Sequence, residues 1–306
     1  MRETRVQGDA SRAAILSAIV TAVLTYLLVA LGSTVRVTDS GMGCPSWPLC
    51  YGQLGPIYHL HPILEESHRY LAALVTVFAF ITMILVLRST RAAALRTMAK
   101  VSFGLVLFQV LLGGLTVLAK NAPWTVALHL LTGFAFLGVT TATAALAVLG
   151  HRYLGLSDAS RRWGMSALTI TLLLLFSGTL VVGAGAGKIC PTWPVCFANG
   201  PGRLTFIALL HRVTMGASGL VILGFIISGW QRGGRAWRSR AVLLAVLVGL
   251  VAAIGAAVAI SKSSPALADI HLAAAAALWV VLVVQVVTAP SPLAARQDAE
   301  VHGQLA

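Results

Sequence analysis

Histidine is the residue type whose placement in this chain points most directly to chemistry. Four of the eight histidines stand at or near the start of long apolar stretches: His68, His129, His211 and His271. Imidazole nitrogens bind iron, copper and zinc, and ionisable groups at membrane depth are costly and usually face a cavity or a partner. A lone histidine near a helix end is usually an interfacial polar residue, but four in matched positions favour metal ligation.

These histidines belong to an internal repeat. Three motifs of the first half recur in the second half at nearly constant spacing. The segment C-P-S-W-P-L-C (Cys44–Cys50) recurs as C-P-T-W-P-V-C (Cys190–Cys196), and His68-Arg69 recurs as His211-Arg212. The pattern K-x-x-P-x5-H occurs at Lys120–His129 and again at Lys262–His271. Fixed-period self-similarity is the signature of a duplicated structural unit. We therefore divide the chain into halves 1–150 and 151–306.

The composition requires that the elements carrying these motifs lie in a membrane. Apolar residues make up 58% of the chain, charged residues only 10%, and the mean hydropathy is +0.88, whereas an ordinary globular chain is about a quarter charged. Eight uncharged stretches are long enough to cross a bilayer: Ala13–Val35, Tyr70–Leu87, Val101–Ala119, Asn121–Gly150, Trp163–Gly187, Val213–Gln231, Ala241–Ser261 and Ile270–Ala295. No stretch alternates apolar and polar residues as the strands of a membrane barrel do.

The fold class is therefore an all-α integral membrane protein with eight transmembrane helices. Each half has an even number of spans, so the halves share one orientation, and we expect two tandem four-helix bundles related by a pseudo-two-fold axis along the membrane normal. Fifteen of the 22 basic residues fall on the side of the termini. The positive-inside rule then predicts a plasma-membrane protein with both termini in the cytoplasm.

The same topology places the chemistry at the outer face. The longer connections, roughly Arg36–Ser67 and Lys188–Leu210, lie outside and contain all four cysteines, while His59 and His61 lie in the first of them. His151 falls in a cytoplasmic loop and His302 in the tail. The net charge of +13 is explained by the basic residues that orient the protein in the membrane and by their contact with anionic lipid. We therefore expect no nucleic-acid partner.

Two histidines on facing helices of a bundle suit haem, whereas zinc would need further ligands nearby. The pattern thus predicts one haem-sized site in each half. Four basic residues lie at the same face and could pair with anionic propionates: Arg69, Lys120, Arg212 and Lys262. The alternative is that these side chains reach lipid headgroups.

The halves differ in their carboxylates. Glu65 and Glu66 precede His68, whereas the residues before His211 carry no acid. Glu65 lies three positions before His68, so both would share one helix face, and a carboxylate there could relay protons or orient a substrate. Glu66 would point elsewhere and is explained by the favourable charge of a helix N-terminus. The N-terminal half is therefore the predicted reaction site.

The cysteine pairs have five residues between them, which is neither the C-x-x-C redox spacing nor a metal knuckle. A local disulfide that stiffens each outer loop is one interpretation. The other is that Cys44 and Cys50 are redox-active near the substrate, with Trp47 between two prolines as a lid.

Taken together, these motifs resemble haem A synthase, a family shared by bacterial cytochrome-oxidase assembly and its mitochondrial relatives. The resemblance implies an oxidoreductase that oxidises the ring methyl of haem O to a formyl group by successive hydroxylations, giving haem A for a terminal oxidase. It further implies that haem O synthase, a farnesyltransferase, is a partner, together with an electron-transfer partner that the sequence does not identify.

The resemblance also implies roles for individual residues. His211 and His271 would bind the iron of a haem b cofactor, and His68 and His129 would hold the substrate haem O. Glu65 would be essential to the chemistry, or Glu66 if the assignment is shifted by one position. Cys44 and Cys50 would assist catalysis as a disulfide pair, while Cys190 and Cys196 would form a structural disulfide.

Two other classes of protein would use paired histidines in membrane helices. One is a di-haem electron-transfer protein of the cytochrome b561 kind, and the other is a haem exporter or chaperone without turnover. The electron-transfer protein gives no reason for Glu65 in one half only or for paired cysteine loops.

Overall fold

The computed structural model describes residues 10–54, 58–149, 158–196, 202–232 and 235–287, and these residues form eight long helices. The helices are α1 (Arg12–Val37), α2 (Leu60–Ser89), α3 (Ala93–Leu118), α4 (Pro123–Leu149), α5 (Asp158–Ala184), α6 (Arg203–Arg232), α7 (Arg235–Ile260) and α8 (Pro265–Val287). Each contains a segment long and apolar enough to cross a membrane. The prediction of an all-α protein with eight spanning helices is confirmed.

The N-terminal ends of two helices differ from the prediction. Helices α2 and α6 begin at Leu60 and Arg203, well before the uncharged stretches that start at Tyr70 and Val213. The expected outer loops were therefore too long, and His61 is the second residue of α2. The helices continue through charged residues because, as shown below, Arg69 and Arg212 are hydrogen-bonded to the loops above them. His151 and His302 lie outside the described residues.

The helices pack as two closed rings. Within the first ring, α1 and α3 each contact both α2 and α4, and α5 and α7 each contact both α6 and α8 within the second. Between the rings, α1 packs on α8 and α4 packs on α5 and α8. The set of helix pairs in contact stays the same when each helix of α1–α4 is exchanged with its counterpart in α5–α8. The pseudo-two-fold axis stays a prediction, as does the division at 150, which falls outside the described residues.

A large apolar cluster joins the two rings through α4 and α8. Leu137 and Leu282 are fully buried in it, and the indole of Trp279 lies against Gly138. The indole N–H donates to the carbonyl of Phe134 at 2.9 Å. In lipid, close packing on small residues and interhelical hydrogen bonds drive helix association, so this contact fixes one half against the other.

Candidate functional site

The four histidines lie at two matched depths. His68 and His211 each follow the first residue of their helix by eight positions, and His129 and His271 by six. At about 1.5 Å per residue, these positions are roughly 9–12 Å below the helix starts. Within each half, the two histidines stand on the second and fourth helices of one four-helix ring. Each half therefore contains one pair of histidines.

Every one of these rings is seated on a glycine of the preceding helix. A Cβ built on the glycine would approach Cε1 of the ring at 2.9 Å for Gly32 and His68, 3.4 Å for Gly113 and His129, 3.2 Å for Gly178 and His211, and 2.8 Å for Gly255 and His271. Glycine allows such close approach of a neighbouring helix. Any larger residue at the tightest of these positions would push the imidazole out of its place.

The ring nitrogens distinguish one histidine from the other three. Nδ1 of His211 lies 3.0 Å from Oγ of Ser177. Nδ1 of His68, His129 and His271 is buried, and no hydroxyl group pairs with it in the part of the chain that the structure describes. All four histidines are half-buried. In His68, His129 and His271, the exposed surface therefore belongs to atoms other than Nδ1.

These observations fit a haem group bound by histidine pairs. Each ring is backed by glycine, and among the described residues no carboxylate or thiol hydrogen-bonds to it. Paired imidazoles without cysteine or acid ligands suit haem iron better than tetrahedral zinc. The orphaned Nδ1 atoms are also consistent with rings placed to serve something other than their protein neighbours.

The loop between α1 and α2, which we call the first outer loop after the topology expected from the sequence, is folded back onto α2 by one arginine and one glutamate. Arg69 donates to the carbonyls of Cys44 at 3.2 Å and Ser46 at 2.9 Å. Glu65 accepts from the backbone N–H of Cys44 at 2.8 Å through Oε2 and from Arg69 through Oε1. A disulfide joins Cys44 to Cys50 inside this loop, and both residues are buried. The carboxylate of Glu65 therefore contacts the loop rather than His68.

The indole of Trp47 continues this loop towards the other helices. A Cβ on Gly114 of α3 would meet the indole at 2.9 Å. The side-chain amide of Asn121 donates to the carbonyl of Gly41 at 3.0 Å. The loop is thus attached to α2, to α3 and to the turn between α3 and α4.

The second outer loop has the same arginine but lacks the glutamate. Arg212 donates to the carbonyls of Cys190 at 2.9 Å and Pro194 at 3.1 Å, and a disulfide joins Cys190 to Cys196. Ala208 stands three residues before His211, where Glu65 stands before His68. Disulfides are therefore present in both outer loops, and the carboxylate contact is specific to the first.

Glu66 is placed differently from its prediction. The first turn of α2 contains no acid, and Glu66 is seven residues into the helix and only 6% exposed. The interpretation as a helix N-terminal charge is therefore wrong, because the helix begins before the apolar run does. One carboxylate oxygen of Glu66 and the sulfurs of Cys44 and Cys50 lie within 4.8 Å of one another. Among the described residues Glu66 makes no hydrogen bond or ion pair.

The predicted propionate partners fall into two groups. Arg69 and Arg212 hold the loops through the carbonyls described above. Lys120 and Lys262 are exposed in the turns that follow α3 and α7, where both have a positive φ, 52° and 55°. Their pairing with propionates stays a prediction.

Sequence reasoning missed three residues of this site. Ser177, Gly32 and Gly178 were not identified, although Gly113 and Gly255 match within the repeat. The spacing of the internal repeat could have identified the two glycines, because Gly32 and Gly178 are as far apart in the sequence as Cys44 and Cys190.

The chain was compared with known protein families and proteins. The model of the cytochrome oxidase assembly protein family matches residues 16–61 and 59–283. The chain is 30% identical to the haem A synthase of Geobacillus thermodenitrificans over 237 residues, 73% of this chain and 72% of that protein. It is 37% identical to the haem A synthase of Symbiobacterium thermophilum over 190 residues, 56% and 59% of the two chains. The match to the haem A synthase of Bacillus cereus (strain G9842) is 25% identical and covers 87% and 89%.

Proposed function

This chain belongs to the cytochrome oxidase assembly protein family, and from that premise we propose that it converts haem O into haem A. The chain is a multi-pass membrane protein and an enzyme of haem A biosynthesis, as its similarity to haem A synthases supports. The reaction we assign is oxidation of the ring methyl of haem O to a formyl group by successive hydroxylations. With water as the oxygen source, this reaction releases electrons and protons and therefore requires an electron acceptor as a partner.

The asymmetry between the two outer loops carries this proposal. Of the two helices that follow these loops, only α2 carries carboxylates before its histidine, Glu65 and Glu66, and both are buried. A di-haem electron-transfer protein needs two equivalent ligand pairs and gives no role to buried acids at one of them. We therefore assign the N-terminal half to the substrate, with His68 and His129 in contact with haem O.

The C-terminal half is assigned to haem b, whose iron His211 and His271 would hold. When bound, haem b would supply one-electron transfer. The chain's own contribution is to hold the two rings against Gly178 and Gly255 and, at His211, to bind Nδ1 through Ser177.

In the substrate half, Glu65 and Arg69 have a positioning role. They hold the backbone of Cys44 against α2, and the disulfide and Trp47 are proposed to form a lid over the substrate. Glu66 presents a buried carboxylate beside the same disulfide and is the second candidate for the working acid. Cys44 and Cys50 are proposed to assist at the substrate, whereas Cys190 and Cys196 brace the second loop.

The basic residues and the topology complete the proposal. Arg69, Lys120, Arg212 and Lys262 are proposed to neutralise propionates at the outer face. Both termini are proposed to be cytoplasmic, as the distribution of basic residues favours. Haem O synthase is the natural partner because its product is the substrate proposed here.

The experiment is to express the full chain with a haem O synthase, purify it, and analyse the extracted haems by HPLC with mass detection. Haem b together with haem A or a hydroxylated haem O is expected. Haem b alone, from cells shown to contain haem O, would favour the electron-transfer protein instead.

Two variants separate the carboxylates. Glu65→Gln should stop product formation while haem b remains, because Gln carries no charge to pair with Arg69. Glu66→Gln leaves the loop contacts of Glu65 in place. Normal turnover by Glu65→Gln with loss of turnover in Glu66→Gln would transfer the catalytic assignment to Glu66.

A further inference from the structure

Ser177 of α5 connects the backbone of its own helix to His211 of α6. Its Oγ lies 2.7 Å from the carbonyl of Leu174, 3.0 Å from Nδ1 of His211 and 2.8 Å from Oγ1 of Thr214. Ser177 is 2% exposed. Serine in a membrane helix often bonds to a carbonyl one turn earlier, which explains the contact with Leu174 but not the contact with the histidine.

The hydroxyl of Ser177 has a single hydrogen for these partners. When it is donated to the carbonyl of Leu174, which can only accept, the oxygen of Ser177 accepts from Nδ1–H of His211. With the proton on Nδ1, the lone pair of the imidazole is on Nε2, the nitrogen that is then free to bind a metal. A partner on one ring nitrogen thus fixes the tautomer and the orientation of a ligating histidine.

The N-terminal half has apolar residues at both positions. Leu31 precedes Gly32 as Ser177 precedes Gly178, and Leu71 follows His68 by three residues as Thr214 follows His211. Leucine offers no acceptor to Nδ1 of His68, and that nitrogen is buried without a hydrogen bond to any described residue. At the second histidine of each half, His129 or His271, Nδ1 has no hydroxyl partner among the described residues. The hydroxyl contact therefore distinguishes His211 from its counterpart His68.

We propose that Ser177 is the positioning residue that makes the C-terminal site a permanent haem site, while His68, without such a partner, is a releasable ligand. This inference rests on the assignment of haem b to the C-terminal half and of haem O to the N-terminal half. A resident cofactor needs a slow dissociation rate, whereas a substrate haem must enter and leave in every turnover. Partners that orient a ligating histidine typically change metal affinity by about 10–100-fold.

The test compares Ser177→Ala, Ser177→Thr and Leu31→Ser in the full chain co-expressed with haem O synthase. Loss of haem b to excess apomyoglobin is followed at the Soret band, and the midpoint potential of haem b is measured in the same samples. We expect Ser177→Ala to lose haem b about 10–100-fold faster with a shifted potential. Ser177→Thr, which keeps the hydroxyl, should restore both values.

Leu31→Ser is the mirror variant. It places a hydroxyl beside the unpaired Nδ1 of His68, and we expect haem O and haem A to leave the N-terminal half more slowly. Unchanged haem b loss and potential in Ser177→Ala would overturn the inference, and so would unchanged release from Leu31→Ser. The mirror variant keeps the test valid if Ser177→Ala fails to fold.

His211→Ala separates this inference from the proposed function. If His211→Ala lacks haem b but Ser177→Ala behaves like the parent chain, only the role of Ser177 fails. If His211→Ala retains haem b, the assignment of the two halves fails and the inference fails with it.

Discussion

Gly255 is the position where one added methyl group should most disturb a histidine of the site. A Cβ there would lie 2.8 Å from Cε1 of His271, whereas carbon atoms in contact prefer about 3.5–4.0 Å. The ring must therefore move by roughly 0.7 Å or more. Functional sites tolerate displacements of about 0.5 Å, so in Gly255→Ala the imidazole leaves its ligand position.

Gly249 of the same helix is the matched control. It is exposed, and nothing lies within 4 Å of a Cβ built on it. Replacing glycine by alanine within a helix stabilises it by about 0.5–1 kcal/mol, so Gly249→Ala should fold at least as well as the parent chain. A defect confined to Gly255→Ala then reports on the ring of His271 rather than on α7.

The assay is the haem b content of each purified variant, measured by the pyridine haemochrome spectrum after titration with haem. We expect Gly255→Ala to bind haem b about tenfold or more weakly, a loss of about 1.4 kcal/mol, and Gly249→Ala to match the parent chain. Equal haem b affinity in Gly255→Ala and the parent would refute the reasoning. So would an equal loss in both variants, because the effect would then belong to the helix.

Three further changes test other parts of the molecule. Trp279→Phe removes the donor to the carbonyl of Phe134, and we expect the free energy of unfolding in detergent to fall by about 0.5–1.5 kcal/mol. Arg212→Lys replaces a guanidinium that reaches two carbonyls with a single ammonium, so a dithiol should reduce the disulfide between Cys190 and Cys196 faster. Alkylation of the released thiols followed by mass spectrometry would show the rate. Gly113→Ala, at 3.4 Å from His129, makes an ordinary contact and should retain haem A formation close to the parent level.

Each of these has an outcome that contradicts it. Unchanged unfolding energy in Trp279→Phe would mean that the indole hydrogen bond contributes nothing to the contact between the halves. Unchanged alkylation in Arg212→Lys, with Arg69→Lys as its counterpart in the other loop, would remove the loop-holding role. Loss of haem A formation in Gly113→Ala would mean that the ring of His129 has less room than its distance indicates.

The number of spans and the four histidines could be predicted because they depend on local properties. The hydropathy of a segment indicates a membrane span without reference to other segments. A motif that recurs in both halves likewise indicates that its histidines lie at matched depths, whatever the packing of the helices. The start of α2 could not be found in the same way, since Glu65 and Arg69 interrupt the uncharged run and only the loop above them shows that both are paired.

Side-chain direction was the harder part of the prediction. The three-residue spacing of Glu65 and His68 indicated a shared face, but a carboxylate turns towards its strongest partners, which here are Cys44 and Arg69. The position of Glu66 beside the disulfide depends on how the loop folds back, which no helical periodicity encodes. Ser177, by contrast, was within reach of the sequence, since it directly precedes a glycine that the repeat spacing matches to Gly32.

The contact between α4 and α8 has a consequence for how a duplicated chain keeps its halves in order. Trp279 and Leu137 each stand eight residues after the histidine of their helix, so they are equivalent positions in the two halves, and both lie in the apolar cluster that joins them. The indole fits because α4 offers Gly138, where α8 has Val280. This contact therefore needs one half of each kind, because Trp279 comes from the C-terminal half and Gly138 from the N-terminal half.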